Sequence, residues 1–200
     1  TMLGLDYGFW EDSLAHIRLL AVDEHHGNLL LRMGNPSSYA PDGEGGPDVS
    51  LPKLEGVLRH AVEEAGMPFP KDAEIVDITL LTSEMDIIDA EWRTFGDELV
   101  RWPTWGVDSA TLRHACKKHH IDVGDCPRSR QPRHMPKQAV ELLAKDFNAW
   151  EPDTLAERVE KLHDWLHTQH KRPKVMFFHC FCGCDRTGQL AAAYSARYLN

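Results

Sequence analysis

A chain that runs from an apolar strand through a short loop into a helix has little freedom in what it builds, and residues 175–194 have that form. Val175, Met176, Phe177 and Phe178 are apolar and end in His179-Cys180. Phe181, Cys182, Gly183, Cys184 and Asp185 make a short loop, and Arg186-Thr187-Gly188 opens a helical pattern continued by Leu190, Ala191, Ala192 and Ala193. In such a turn the loop amides converge. The first turn of the helix leaves its N–H groups unpaired at the positive end of the dipole. This is a geometry for binding an anion, and the sequence places the thiol of Cys180 and the guanidinium of Arg186 at its two ends.

Each residue has a use there. A thiol of pKa about 8.5 is a weak nucleophile near neutrality, whereas its thiolate is a strong one. Inward amides, a helix N-terminus and Arg186 all favour the anion and predict a depressed pKa for Cys180. Arg186 can grip two phosphate oxygens with its planar fork. Gly183 lets the backbone turn with its N–H toward the anion. A tetrahedral zinc site built from His179, Cys180, Cys182 and Cys184 is the competing reading. Alternating cysteines with no second ligand cluster fit it poorly, so no metal and no cofactor are expected.

The run His179-Cys180-Phe181-Cys182-Gly183-Cys184-Asp185-Arg186-Thr187-Gly188 resembles the active-site loop of the cysteine-based protein tyrosine and dual-specificity phosphatases, and matches that pattern without departure. The resemblance implies a phosphotyrosine-phosphatase-like fold and hydrolysis of a phosphoester through a cysteinyl-phosphate intermediate. It implies Cys180 as nucleophile and Arg186 as phosphate clamp. Phe181, Cys182, Gly183, Cys184, Asp185 and Thr187 would line the substrate phosphate, with the Thr187 hydroxyl bonded to the Cys180 sulfur. His179 would fix the loop through backbone hydrogen bonds without touching substrate.

Two hundred residues suit one domain with a substantial core. A net charge of −9, from 31 acidic and 22 basic residues, argues against nucleic acid or an anionic membrane as a general partner. No apolar run approaches the roughly 20 residues of a membrane span. Five cysteines, three of them in the loop, do not make a disulfide framework. A reducing, cytoplasmic compartment is expected. The family's fold continues with further helices past this loop, so the sequence is expected to continue beyond Asn200.

Strand and helix patterns alternate, which predicts an α/β fold with a mostly parallel central sheet flanked by helices. Residues 1–26 read as an N-terminal lead-in with a helix on Leu14, Ile17, Leu20 and Ala21, and residues 27–200 as the phosphatase domain. Leu29-Leu30-Leu31 is a strand, followed by Arg32-Met33-Gly34-Asn35-Pro36-Ser37, which resembles the entry segment of many dual-specificity phosphatases. Residues 41–47 are a loop. Leu54, Val57, Leu58, Ala61 and Val62 mark a core-facing helix closed by Gly66, and 75–81 is a strand. Residues 84–99 are partly helical. A helix through Leu112, Ala115 and Cys116, a short strand at 120–123, a basic loop at 127–136 and a helix on Val140, Leu143, Phe147 and Trp150 follow. Thr154 to Glu157 reads as a capping box. Leu155, Val159, Leu162 and Leu166 form the helix that delivers the chain to the catalytic strand.

Such chemistry also needs an acid to protonate the leaving oxygen. Trp102-Pro103-Thr104 resembles the Trp-Pro-Asp loop of classical tyrosine phosphatases, but Thr104 stands where the acid would be, so the segment reads as a structural turn. Asp125 ends a short strand at a Pro-containing loop, where a dual-specificity phosphatase carries its acid, and is the first choice. It lies further from Cys180 than is usual and requires an inserted helix. Asp146 has the better spacing but sits in a helical pattern, and Asp153 reads as a helix-start residue.

Asp185 is expected to point away from the phosphate, where a carboxylate would repel it. The resemblance leaves open a phosphorylated protein or a phosphoinositide as substrate, and a catalytically weak phosphate-binding module as a third reading. Cys182 and Cys184 lie close in sequence to Cys180, and capture of an oxidised Cys180 as a disulfide further requires the loop to bring two Cα atoms within about 7 Å with their side chains converging.

Overall fold

A computed structural model describes residues 17–37, 46–82, 84–104 and 153–199. The described elements in chain order are β1 (Arg18–Asp23), β2 (Asn28–Met33), α1 (Leu51–Glu64), β3 (Glu74–Thr79), α2 (Met85–Phe95), a 3₁₀ turn (Gly96–Glu98), β4 (Leu99–Arg101), α3 (Leu155–His167), β5 (Lys174–His179) and α4 (Asp185–Tyr198). The fold is α/β. Among the described residues the sheet has five strands in the order β1-β2-β5-β3-β4. β1 pairs antiparallel with β2, and the other neighbours run parallel.

β5 lies in the middle, paired to β2 on one side and β3 on the other. That position explains its sequence. A strand hydrogen-bonded on both edges and covered on both faces carries an unbroken apolar run instead of an alternating one. Its side chains divide by parity. Met176, Phe178 and Cys180 face a core built with α3 and α4, with Leu162, Leu166, Leu190 and Tyr194 among its buried members. Val175 and Phe177 face a second core with α1, where Leu54, Leu58 and Val62 are fully buried. The alternating strand and helix patterns therefore make three layers.

α1 ends as the sequence predicts. Gly66, at φ +79°, donates to the Glu63 carbonyl, and Met67 donates to Val62, the paired bonds of a Schellman turn. Two expectations fail. Where a helix on Ile17, Leu20 and Ala21 is expected, residues Arg18–Asp23 form edge strand β1, with a register shift between Leu19 and Ala21. The cause is the turn after it. Asp23 accepts from the His25 N–H and sits 2.5 Å from His26 Nδ1, Gly27 adopts φ +73° and donates to the Asp23 carbonyl, and the chain folds back as a hairpin. Those contacts hold the Asp23 carboxyl below its ordinary value although burial pushes it up. The capping box also does not form. Thr154 is left-handed, at φ +44°, with no side-chain cap bond, whereas a capping side chain reaches the first turn from an extended backbone. Glu157 pairs instead with Lys161, at 3.1 Å.

The expected helix at Leu112, strand at 120–123, basic loop at 127–136 and helix at 137–150 lie outside the described residues, as do 1–16 and most of the loop 41–47. Among the described residues no helix is long and apolar enough to cross a membrane.

The start of the central strand is fixed by one buried amide. Asn28 Nδ2 donates to the carbonyls of Leu166 and Thr168, at 2.8 and 2.9 Å, and its Oδ1 accepts from the Lys174 N–H at 2.9 Å. It thus ties β2, the end of α3 and the start of β5 at a fully buried point. Asn28→Ala removes three hydrogen bonds and strands buried backbone groups, so a loss of about 3 kcal/mol is expected, read as a fall in the denaturant midpoint at unchanged slope.

Candidate active site

Residues 180–184 connect the C-terminal end of β5 to α4, at the carboxyl edge of the parallel strands, where α/β folds place their ligands. The loop is held from outside by the segment that follows β2. Gly183 lies at φ +71°, and a Cβ there would come within 2.6 Å of the Met33 carbonyl oxygen and 2.8 Å of the Gly34 nitrogen. Only a residue without a side chain can approach that backbone. Around this contact Arg32 Nη2 donates to the Gly183 carbonyl at 2.7 Å, and the Asn35 N–H donates to the Phe181 carbonyl at 3.2 Å. The Asn35 side chain in turn accepts from the Ser37 N–H at 2.9 Å.

Cys180 is buried at the bottom of this loop, with 1% of its surface exposed. Burial pushes its thiol pKa up, but this is outweighed. Thr187, through hydroxyl and backbone N–H, the nearby charge of Arg186 and the Gly183 N–H all favour the thiolate, and the net direction is down. The Thr187 hydroxyl is fully buried and has no well-aligned oxygen or nitrogen partner among the described residues, which leaves the sulfur it faces as its acceptor.

Arg186, on the first turn of α4, is aimed by two groups. Its Nη1 donates to the Leu80 carbonyl at 3.3 Å, and its Nη2 to Glu84 Oε1 at 3.0 Å. Glu84 is itself placed by the Thr82 N–H, 3.0 Å from its second oxygen. Among the described residues these contacts use two of the five guanidinium donors, so the side chain is positioned while three donors stay open to a ligand.

The remaining loop residues are distributed by exposure. Phe181, Cys182, Cys184 and Asp185 are exposed, and Gly183 and Thr187 are buried. Asp185 lies in the first turn of α4. The Cys184 N–H lies 3.3 Å from Cys182 Sγ, and burial followed by Cys182 pushes the Cys184 thiol up to about 11. Cys180 is buried, whereas Cys182 and Cys184 are exposed.

His179 is more elaborately held than the sequence suggests. Its Nδ1 lies 3.2 Å from the Cys180 carbonyl, the backbone contact expected of it. Its Nε2 lies 3.0 Å from Asp77 Oδ1 and 3.2 Å from Glu91 Oε1, with all three side chains fully buried. Burial pushes the imidazole pKa down, yet the two carboxylates carry it well above the ordinary value. Burial raises Asp77 to about 6 against the lowering effect of His179.

Of the candidate acids, Asp125 and Asp146 lie outside the described residues. Asp153 is fully buried at the start of α3, and its charge acts on Arg158. Arg158 donates to the Trp102 and Pro103 carbonyls and to the Thr104 hydroxyl. Trp102 stacks on Trp165 at 5.3 Å, and its N–H donates to Thr79. Asp153 and Trp102-Pro103-Thr104 thus belong to one packing arrangement, and Thr104 is a buried hydrogen-bonded hydroxyl.

Sequence reasoning missed Glu84, Asp77 and Glu91. Two of them left a signal. Asp77 interrupts the apolar run 75–81, and Glu91 shares the helical stripe of Ile87 and Phe95, so each is a charge at a core-facing position.

Gly183→Ala places a left-handed φ on a residue with a Cβ and pushes that Cβ into the backbone of Met33. A loss of about 2 kcal/mol or more is expected from strain and displacement together, with the loop lifted from β2. Thermal unfolding checks the stability, and hydrogen exchange at the Asn35 amide checks the displacement. Comparison with protein-family models, with curated proteins and with solved structures gives no match to this chain.

Proposed function

We propose that the chain is a phosphoester hydrolase of the protein tyrosine or dual-specificity phosphatase type, acting through a cysteinyl-phosphate intermediate. The observation that carries this reading is the pairing of a buried thiol, whose surroundings favour the thiolate, with a guanidinium aimed by Leu80 and Glu84 at the other end of one strand-to-helix loop. In the proposed reaction the Cys180 sulfur attacks phosphorus, an S–P bond forms, and the P–O bond to the leaving group breaks. Arg186 and the loop amides hold the non-bridging oxygens as charge spreads over them. An acid, Asp125 or Asp146, protonates the leaving oxygen, and water then cleaves the S–P bond to release phosphate.

Hydrolysis of a generic aryl phosphate is the first test. The parent chain should turn it over. Cys180→Ser should abolish turnover and keep phosphate binding, because a serine hydroxyl is not ionised while Arg186 and the amides remain. Turnover surviving in that variant means another nucleophile. A panel of phosphopeptides set against inositol lipids then separates the protein-directed reading from a phosphoinositide phosphatase.

The acid is assigned by kinetics. Asp125→Asn should lower kcat and remove the basic limb of the pH–rate profile, with a smaller effect on substrates whose leaving groups are good. If Asp146→Asn shows that pattern and Asp125→Asn does not, Asp146 is the donor.

A further inference from the structure

Beneath the loop, between the sheet and α2, Asp77 from β3, His179 from β5 and Glu91 from α2 converge with no exposed surface. One ligand-type atom from each lies within 4.8 Å of the other two. Five polar atoms meet there without an aligned hydrogen bond among the described residues: both oxygens of Asp77, both of Glu91, and His179 Nε2. The two oxygens are near enough to Nε2 for hydrogen bonds, at 3.0 and 3.2 Å, but neither lies along the ring N–H direction. A proton on Nε2 would want an oxygen on that axis.

The separations fit another occupant. A transition ion with bonds of about 2.0–2.2 Å holds its ligand atoms about 3.0 Å apart at right angles and about 3.4 Å apart at tetrahedral angles. The observed N···O distances fall in that interval. The other ring nitrogen completes the pattern. A carbonyl oxygen can only accept, so the contact between Nδ1 and the Cys180 carbonyl puts the hydrogen on Nδ1. With that hydrogen on Nδ1, Nε2 is the nitrogen turned to the carboxylates and the one a metal ion would take in place of a proton; a ligating histidine commonly donates its other N–H to a backbone carbonyl. Charge points the same way. Two buried carboxylates and one imidazolium still leave a net negative charge in the core, which a divalent cation in place of the Nε2 proton would cancel.

We infer that Asp77, Glu91 and His179 form a structural binding site for one divalent transition cation of the kind that accepts mixed imidazole and carboxylate ligands, such as Zn²⁺, Fe²⁺ or Co²⁺. The ion ties α2 to β3 and β5 directly behind the loop. Because the ligands are fully buried, it enters as the chain folds, so its binding is coupled to folding.

Co²⁺ is the probe, since its visible absorption reports its ligands. The 200-residue chain is refolded with Co²⁺ and desalted. Retention of about one Co²⁺ per chain is expected, together with a higher unfolding temperature than in chelator. The intense near-ultraviolet band of a cobalt–thiolate bond should be absent, and Cys180→Ser should retain the ion, which keeps this site separate from the proposed nucleophile. Glu91→Gln, which preserves shape, should lose both the ion and the Co²⁺-dependent stabilisation. If that variant does not refold, the parent's own unfolding temperature in Co²⁺ and in chelator decides. No retained ion, no rise in that temperature, a thiolate band, or equal retention by a folded Glu91→Gln overturns the site.

Discussion

The contact on which the candidate site depends is the seat of Gly183 on the backbone of Met33 and Gly34. A Cβ at 2.6 Å from a carbonyl oxygen is not tolerated, so the approach exists only because residue 183 has no side chain. It can exist at all because β5 lies beside β2, which brings the end of one strand against the loop leaving the other. Arg32 and Asn35 then fix the loop carbonyls of Gly183 and Phe181. With those carbonyls turned outward toward β2, the Gly183 N–H is left to face the sulfur of Cys180. The depressed pKa of the thiol follows from where the loop is docked.

The opposite wall comes from the other neighbour of β5. Leu80, just past β3, offers its carbonyl to Arg186 and its N–H to the His179 carbonyl, so one residue both extends the sheet and aims the guanidinium. Glu84 sets the remaining direction. The pair is only partly buried, with the two side chains 17% and 26% exposed. Its value therefore lies in orientation more than in stability, since such pairs contribute little free energy in contact with water.

What the sequence makes legible is what local chemistry encodes. The run 175–194 carries its own strand, turn and helix signals, and all three elements form where they are expected. The stripe of Leu54, Leu58 and Val62 with Gly66 behind it is local in the same way. The misreadings come where local signals compete. Ile17, Leu20 and Ala21 sit at helical spacing, yet the turn at Asp23 and Gly27 folds the segment back on β2 and makes it an edge strand. Thr154 and Glu157 have the letters of a capping box, but the backbone at Thr154 is left-handed and its side chain makes no cap bond. Glu84 gave no signal because an acid at a helix start reads as a cap or a solvated charge. Its partner Arg186 is brought to it only by the placement of β3 beside β5.

The arrangement around Cys180 and His179 rests finally on the period of two along a strand. Consecutive residues at the end of β5 point to opposite faces of the sheet. Cys180 falls on the α3 and α4 side, with Met176 and Phe178, at the base of the loop. His179 falls on the other side, stacked 5.8 Å from Phe177 and turned toward Asp77 and Glu91. The sulfur and the buried charges are therefore separated by the sheet itself, while the Cys180 carbonyl, which accepts from His179 Nδ1, joins them through one backbone group. A slip of one residue in the pairing of β5 would exchange the two faces, burying the thiol among carboxylates and turning the imidazole into the apolar core. The buried apolar run Val175 to Phe178 of β5, bonded on both edges and pinned at its start by Asn28, is what excludes that slip.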